Sequence, residues 1–485
     1  MAIKIIDKKE AAELAIGLSG LFVRIPNPSY VYPPYEICPI AAPLVAFDRP
    51  PVAAVMDMDG TTTTTETLCL HSLEHAVRIS MGAAGAHWPG LDPQRDYPNV
   101  IGNSTTKHVE YLVDAYGARF DTIALAEAFL KAADWTQKHS RDEQRRLQVK
   151  INLRQLGAGD FASGGNTQLG AIHGSDSGAG SDSGAGSDSG AGSDSITDAK
   201  TDSGADSGVG TVADSPAIRD ALAGKLERRD LQVQACIDIY YQRYHEILAA
   251  IEAGDRKFLT TIPGVDAGRP LIEPMPGVAI TLALLSGDLG GEAGKLAGLL
   301  AATGAADKTN ADAGAESTLS RLGEFFRQHP VRLALVTSSI RYEAEVVMRE
   351  VFNILRQDVA GWPVSAEVRQ RINRRFSSPD ACYDAFVTAT DSSEIRLKPF
   401  RDLYSIALQQ AGVGPENFDA VIGFEDSQSG TVAIRTAGIG RCVAVPFHET
   451  GGHDFDAASV VALGGLPEVL LQHRFFLEKL MKKPA

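Results

Sequence analysis

The residue types best suited to chemistry gather in one short stretch, Asp57-Met58-Asp59-Gly60-Thr61, followed by four more threonines and Glu66. The apolar run from Val52 to Met56 that precedes it reads as a buried parallel strand with a polar tip. Side chains alternate along a strand, so Asp57 and Asp59 leave the same side of its carboxyl end. In an open parallel sheet that end is where ligands bind. Two carboxylates this close repel unless a cation or a shared proton relieves them. A divalent cation held by oxygen ligands would do so. Read alone, the stretch also fits an Asp-rich turn capping the next helix.

Three other polar tips repeat the arrangement. Thr337-Ser338 ends the apolar run Arg332–Val336, Lys398 stands before Pro399, and Glu425-Asp426-Ser427 follows the run 420–423. Thr337 by itself would serve as a helix N-cap and Lys398 as a surface lysine. If the strands are parallel neighbours, the four tips meet at one rim. They then supply a carboxylate nucleophile, a second carboxyl, hydroxyl and amide donors, an ammonium and two metal-binding acids. That set suits phosphoryl transfer, where the work is positioning and neutralising the oxygens of the transferred group.

The elements that must position these tips alternate between strand and helix, the recipe for an α/β, doubly wound parallel sheet. Strands are predicted at 52–57, 332–336, 383–388, 420–423 and 441–445. Helices are predicted at 342–355 and 400–410, with a final one at 467–481. Between the first two strands lies a long helical region, with helices at 66–79, 106–116, 122–148 and 215–253. The last of these is opened by Ser215 as N-cap and Pro216 at the first helical position. Its Tyr240 and Tyr244 fall on an apolar stripe that reads as packing surface. Residues 1–50 hold a short helix, 8–18, and then six prolines between Pro26 and Pro43. Those prolines predict an extended arm without regular structure, lying against the first strand.

Ser-Asp-Ser-Gly-Ala-Gly occurs three times in tandem from Ser175 to Gly192. A calcium-binding solenoid would show a nine-residue period and an apolar position in each repeat. A six-residue period with nothing to bury predicts a flexible acidic linker over 157–214. The 485 residues carry a formal charge of −15, and the eight Asp and one Lys from Gly174 to Asp214 account for nearly half of it. The mildly acidic remainder argues against a nucleic-acid or anionic-membrane partner. Five scattered cysteines without paired spacing predict reduced thiols and a cytoplasmic setting. No apolar run reaches membrane-spanning length.

In order and in their residues, the four tips resemble the signature motifs of the haloacid dehalogenase superfamily. The likeness is strongest to its β-phosphoglucomutase and phosphoglycolate phosphatase branch. Asp57-x-Asp59-Gly60-Thr61, Thr337, Lys398-Pro399-x-x-Asp402-Leu403-Tyr404 and Gly423-Phe424-Glu425-Asp426-Ser427-x-x-Gly430 carry it, with the return at Pro274-x-Pro276-Gly277-Val278. The match spans roughly residues 49–68 and 272–446. The threonine run 62–65 departs from the branch's usual pattern. The resemblance implies a Rossmann-like core at 49–68 and 272–470, an N-terminal extension at 1–48 and a C-terminal tail from 471. It makes 69–271 an enlarged helical cap that closes over the site and excludes water.

The same resemblance implies roles. Asp57 attacks phosphorus and becomes an aspartyl phosphate. Asp59 protonates the leaving oxygen and later deprotonates water. Thr337 and Ser338 grip phosphoryl oxygens, and Lys398 offsets the charge on Asp57 and the phosphate. Mg²⁺ is held by Asp57, the carbonyl of Met58 or Asp59, and Asp426, with Glu425 binding directly or through water. The stretch 102–108 resembles the cap's specificity loop, with Lys107 and His108 as candidates for a substrate anion. The expected activity is hydrolysis of a small phosphorylated metabolite. A sugar phosphomutase is the alternative, and a noncatalytic protein-binding scaffold is the alternative of a different class.

Overall fold

The computed structural model describes residues 3–28, 31–158, 216–262, 270–301 and 312–481. The acidic repeat, the expected linker beyond Ala158 and the expected cap Ser215 lie outside them. Eight strands are described: β1 (Phe22–Pro26), β2 (Tyr35–Pro39), β3 (Ala53–Asp57), β4 (Arg332–Val336), β5 (Ala385–Val387), β6 (Val421–Glu425), β7 (Arg441–Ala444) and β8 (Val460–Val461). Six of them form one parallel sheet in the order β5-β4-β3-β6-β7-β8. The order runs outward in both directions from β3, as a doubly wound sheet requires, so the α/β expectation holds. Strand β3 is buried along its whole length, and its Ala-Ala-Val-Met sequence has nothing polar to satisfy before Asp57. Asp57 pairs with Val336, and Met56 pairs with Phe424. Asp57 and Glu425 are therefore the next residues on adjacent strands, and three of the four tips emerge at the same edge.

Helices cover both faces. One face packs mainly Leu403, Tyr404, Ala407, Leu408, Ala433 and Ile434 against β3, β4 and β6. The other face carries the larger core, continuous with the helical region beyond the rim. That region contains helices Glu66–Ser80, Thr105–Tyr116, Thr122–His139, Glu143–Gln155, Pro216–Lys225 and Arg229–Ala253. Tyr240 and Tyr244 are buried in it and stack at 5.8 Å, as the apolar stripe predicted.

Several boundaries differ from the expectations, each for a local reason. The helix expected over 122–148 is two helices, because Asp142 leaves the helical conformation and caps Gln144 with its carboxylate. The helix expected to run unbroken to Ala253 is interrupted at Arg228, whose extended backbone pairs its guanidinium with Asp230 at 3.1 Å. The final helix stops at Leu471 and turns through positive φ at Arg474, Phe475 and Phe476. That turn buries Phe475 edge-on against Phe326, 5.2 Å away. Packing of one aromatic ring has overridden helical propensity there. The two-residue strand β8 was not foreseen.

The proline-rich arm also differs. Phe22–Pro26 and Tyr35–Pro39 pair as an antiparallel hairpin, with Pro26 and Pro39 at strand ends and Pro28, Pro33 and Pro34 between the strands. Beyond it the chain lies against β7 rather than β3. The Arg435 guanidinium donates to the Ala41 carbonyl and the Arg441 guanidinium to that of Ala46, while Arg441 sits 3.9 Å over the Phe47 ring. Among the described residues no helix is long and apolar enough to cross a membrane. All five cysteines are free.

Candidate active site

The sheet brings the four tips together. The Lys398 ammonium donates to Asp57 Oδ1 and, at 2.6 Å, to Glu425 Oε1. Asp57, Glu425 and Asp426 each offer a carboxylate oxygen, and these oxygens lie within 4.8 Å of one another. Asp57, Lys398, Glu425 and Asp426 are all buried. Burial, followed by the Glu425 charge, pushes both Asp57 and Asp426 well above the usual carboxylate range. Burial opposes the charge on Lys398, but Asp57 and Glu425 outweigh it and raise the ammonium's pKa.

Glu425 is fully subscribed. Its Oε1 accepts from Lys398 and, at 3.2 Å, from the Tyr404 hydroxyl. Its Oε2 accepts from the Ser427 amide at 2.9 Å and the Ser427 hydroxyl at 2.8 Å. Asp426 is the opposite. Its Oδ1 takes one hydrogen bond from Thr61 at 3.2 Å, and its buried Oδ2 has no donor among the described residues. Gly60 makes this approach possible, with φ of 80° and a position where a Cβ would lie 2.5 Å from Asp426 Oδ2. Three carboxylates facing one ammonium, with an orphaned oxygen among them, fit a hard divalent cation. Of the two carbonyls expected as ligands, that of Met58 is taken by the amides of Thr62 and Thr63. It also accepts from the Thr63 hydroxyl at 3.2 Å, which leaves the Asp59 carbonyl for a cation.

The threonine run departs from the expected pattern and gives the tip its form. Thr61 holds Asp426, and the Thr62 hydroxyl donates to the Asp57 carbonyl at 2.6 Å. The Thr64 hydroxyl accepts from the Glu273 amide at 2.9 Å, and the Thr65 hydroxyl donates to Asp59 Oδ1. Asp59 Oδ2 accepts from Thr337 at 2.8 Å and from Ser339 at 3.2 Å. In this state Thr337 therefore grips Asp59, while the buried Ser338 hydroxyl has no partner among the described residues. Glu66 is buried next to this network. Its burial and the Asp59 charge raise its pKa to about 8.

The structure joins Asp57, Asp59, Thr337, Lys398, Glu425 and Asp426 into one cluster. Lys107 and His108 make no recorded contact with it. Lys107 shares only a narrow void of about 10 Å³ with Lys398. His108 is buried in the helical layer, and burial depresses its ring to about 3, so it stays neutral. The loop before them does reach the core, because the Ser429 hydroxyl donates to the Gly102 carbonyl. A second contact between the helical region and the sheet domain joins His245 to Glu343 at 2.9 Å, with both side chains buried. Sequence reading gave no contact to Thr61 or Thr65, nor to Ser339, Tyr404 or Ser427, although Thr61, Tyr404 and Ser427 stood in its motifs. Five consecutive threonines after two acids were the available signal for the first two.

No family model matches the chain. No curated protein matches it in sequence either. Solved structures do. One is CbbY from Rhodobacter sphaeroides in complex with phosphate, at 13% identity and a TM-score of 0.37, covering 86% of this chain and 96% of that one. A Thermotoga maritima protein assigned as a beta-phosphoglucomutase has 14% identity and a TM-score of 0.32, covering 87% and 97%. A Lactobacillus plantarum protein assigned as a phosphoglycolate phosphatase has 11% identity and a TM-score of 0.33, covering 87% and 100%. At such identities these are likenesses of overall arrangement, and what the site can do follows from its own residues. In the order of its four polar tips and in the parallel sheet that carries them, the chain resembles the haloacid dehalogenase superfamily.

Proposed function

We propose that the protein is a Mg²⁺-dependent phosphatase that hydrolyses a phosphate monoester through a phospho-Asp57 intermediate. The observation that supports it is the convergence of Asp57, Asp59, Thr337 and Asp426, from the tips of β3, β4 and β6, with Lys398 from the loop after β5, on one rim. Asp57, Asp426 and the Asp59 carbonyl would hold the cation. Glu425, already bound by four donors, orients Lys398 and Ser427 and leaves the cation to the other acids. When bound, Mg²⁺ supplies neutralisation of charge on the phosphoryl oxygens.

The chain's own residues divide the remaining work. Lys398 favours the ionised form of Asp57 against its burial and limits its rotation, so that one carboxylate oxygen faces phosphorus. That oxygen forms the new P–O bond as the ester P–O bond breaks, and the departing oxygen takes a proton from Asp59. The Ser338 hydroxyl, without a partner among the described residues, donates to a phosphoryl oxygen. In the second half Asp59 removes a proton from water, and the water oxygen displaces Asp57 to release inorganic phosphate. Thr65, Thr337 and Ser339 hold Asp59 in reach of both steps.

The test is phosphate release from a broad panel of monoesters by purified protein with Mg²⁺. Turnover of at least one ester is expected, with loss of roughly three orders of magnitude in Asp57→Asn. Equal activity in that variant rules out the nucleophile. An isomeric sugar phosphate in place of free phosphate would make the enzyme a mutase.

A further inference from the structure

Resting on the phosphatase reading, we infer that the cleft between the helical region and the core selects a bulky, uncharged, hydroxyl-rich leaving group. A two-carbon acid or a second phosphate suits it poorly. The cleft has a volume of about 1050 Å³. It meets the catalytic cluster at Ser338 and Leu397, the neighbours of Thr337 and Lys398, while Asp57 and Asp59 do not line it. The buried Ser338 hydroxyl, without a partner among the described residues, marks the end where the phosphoryl group enters. A cavity of this size stands at the upper end of those that enclose drug-sized ligands, and a two-carbon ester would leave most of it to water.

Charge decides between the larger candidates. Three arginines line the cleft, and each already has a carboxylate partner. Arg141 pairs with Glu252 at 3.2 Å, Arg341 with Asp391 at 3.1 Å, and Arg145 with the buried Asp238. Asp142, Glu143, Asp230 and Glu345 also line the walls. A second anion would have to displace an existing partner and face these acids, which disfavours it. Amides offer more. The Gln148 side-chain nitrogen donates to Asn152 Oδ1 at 2.9 Å and that of Gln234 to Gln155 Oε1 at 2.9 Å. The side-chain oxygens of Gln148 and Gln234 accept nothing recorded among the described residues, so they are acceptors for hydroxyl groups.

The test compares three esters: maltose 1-phosphate, phosphoglycolate and fructose 1,6-bisphosphate. With Mg²⁺, kcat/KM for the maltose ester is expected to exceed the other two at least tenfold. The double variant Gln148→Ala/Gln234→Ala should shrink that advantage about tenfold, with its Tm showing a retained fold. A charged ester that equals or beats the maltose ester overturns the inference, and so does a variant that slows all three alike. Titrating Asp57→Asn with the same esters by calorimetry separates the two readings. Tighter binding of the maltose ester without turnover by the parent protein would retire the phosphatase and keep the cleft's selectivity. Tighter binding of the bisphosphate would overturn the selectivity whatever the turnover.

Discussion

Two buried charge clusters in this molecule are built to opposite rules. In the helical region, Asp238 meets one guanidinium, from Arg145, and one amide, from Asn152 at 2.7 Å. The charges balance within the protein. At the strand tips, three carboxylates gather beside the ammonium of Lys398, which pairs with Asp57 and Glu425 alone, and among the described residues one oxygen of Asp426 is left without a donor. Burial alone does not distinguish them, since Asp238 and Asp426 are each 1% exposed. What differs is completeness. A cluster that closes on itself stabilises a packing arrangement, whereas one left short of positive charge is arranged for something that arrives.

The sharpest way to break the comparison is to remove the uncompensated acid. Asp426→Asn should lower kcat by roughly a thousandfold, about 4 kcal/mol, in a Mg²⁺-containing phosphatase assay. The fold should persist, because the variant relieves repulsion with Asp57 and Glu425. A loss of less than tenfold would mean that Asp426 holds nothing the reaction needs. Asp238→Ala should do the reverse. It strands Arg145 without its carboxylate and should cost about 3 kcal/mol in urea unfolding. Replacing both partners, Arg145→Met with Asp238→Leu, should recover most of that loss, as expected where a pair is balanced rather than catalytic.

Metal and pH probe the same difference. Asp57 and Asp426 have folded pKa values raised well above 3.8 by burial and by Glu425. Above about pH 4 the unfolded chain gives up protons that the metal-free fold retains, so metal-free stability should fall as pH rises from there. A bound cation needs these groups ionised and reverses the penalty. Millimolar Mg²⁺ should therefore raise Tm by several degrees at pH 8, by less at pH 5, and not at all in Asp426→Asn. A shift that is the same at both pH values would place the cation elsewhere.

The two clusters were also unequally legible in the sequence. The strand tips announce themselves, because an apolar run ending in Asp57-Met58-Asp59 or Glu425-Asp426 has only one polar end, and a parallel sheet gathers such ends at one edge. The pairing of Arg145 with Asp238 joins residues 93 positions apart on two helices and follows from how those helices pack. Ser339, Tyr404 and Ser427 are ordinary residues until the sheet aligns them. The proline-rich arm misled for a related reason, since its prolines sit where an isolated two-stranded hairpin has no ladder bond to lose. His108 reads as a binder by type, yet the helix face on which it falls is the buried one.

The smallest expected effect concerns how the rim holds Asp59. Three hydroxyls donate to that carboxylate, and the one from Ser339, at 3.2 Å, is longer than that from Thr337, at 2.8 Å. Ser339→Ala leaves the Thr65 and Thr337 contacts in place and exposes no buried charge. It should reduce kcat/KM by about fivefold or less, the value of roughly 1 kcal/mol for one neutral donor. Thr337→Val removes the shorter bond and the hydroxyl that accepts from the Ser339 amide at 2.9 Å, and should cost more. If the order is reversed and Ser339→Ala loses a hundredfold, Ser339 grips the phosphoryl group itself. Its bond to Asp59 would then give way to substrate.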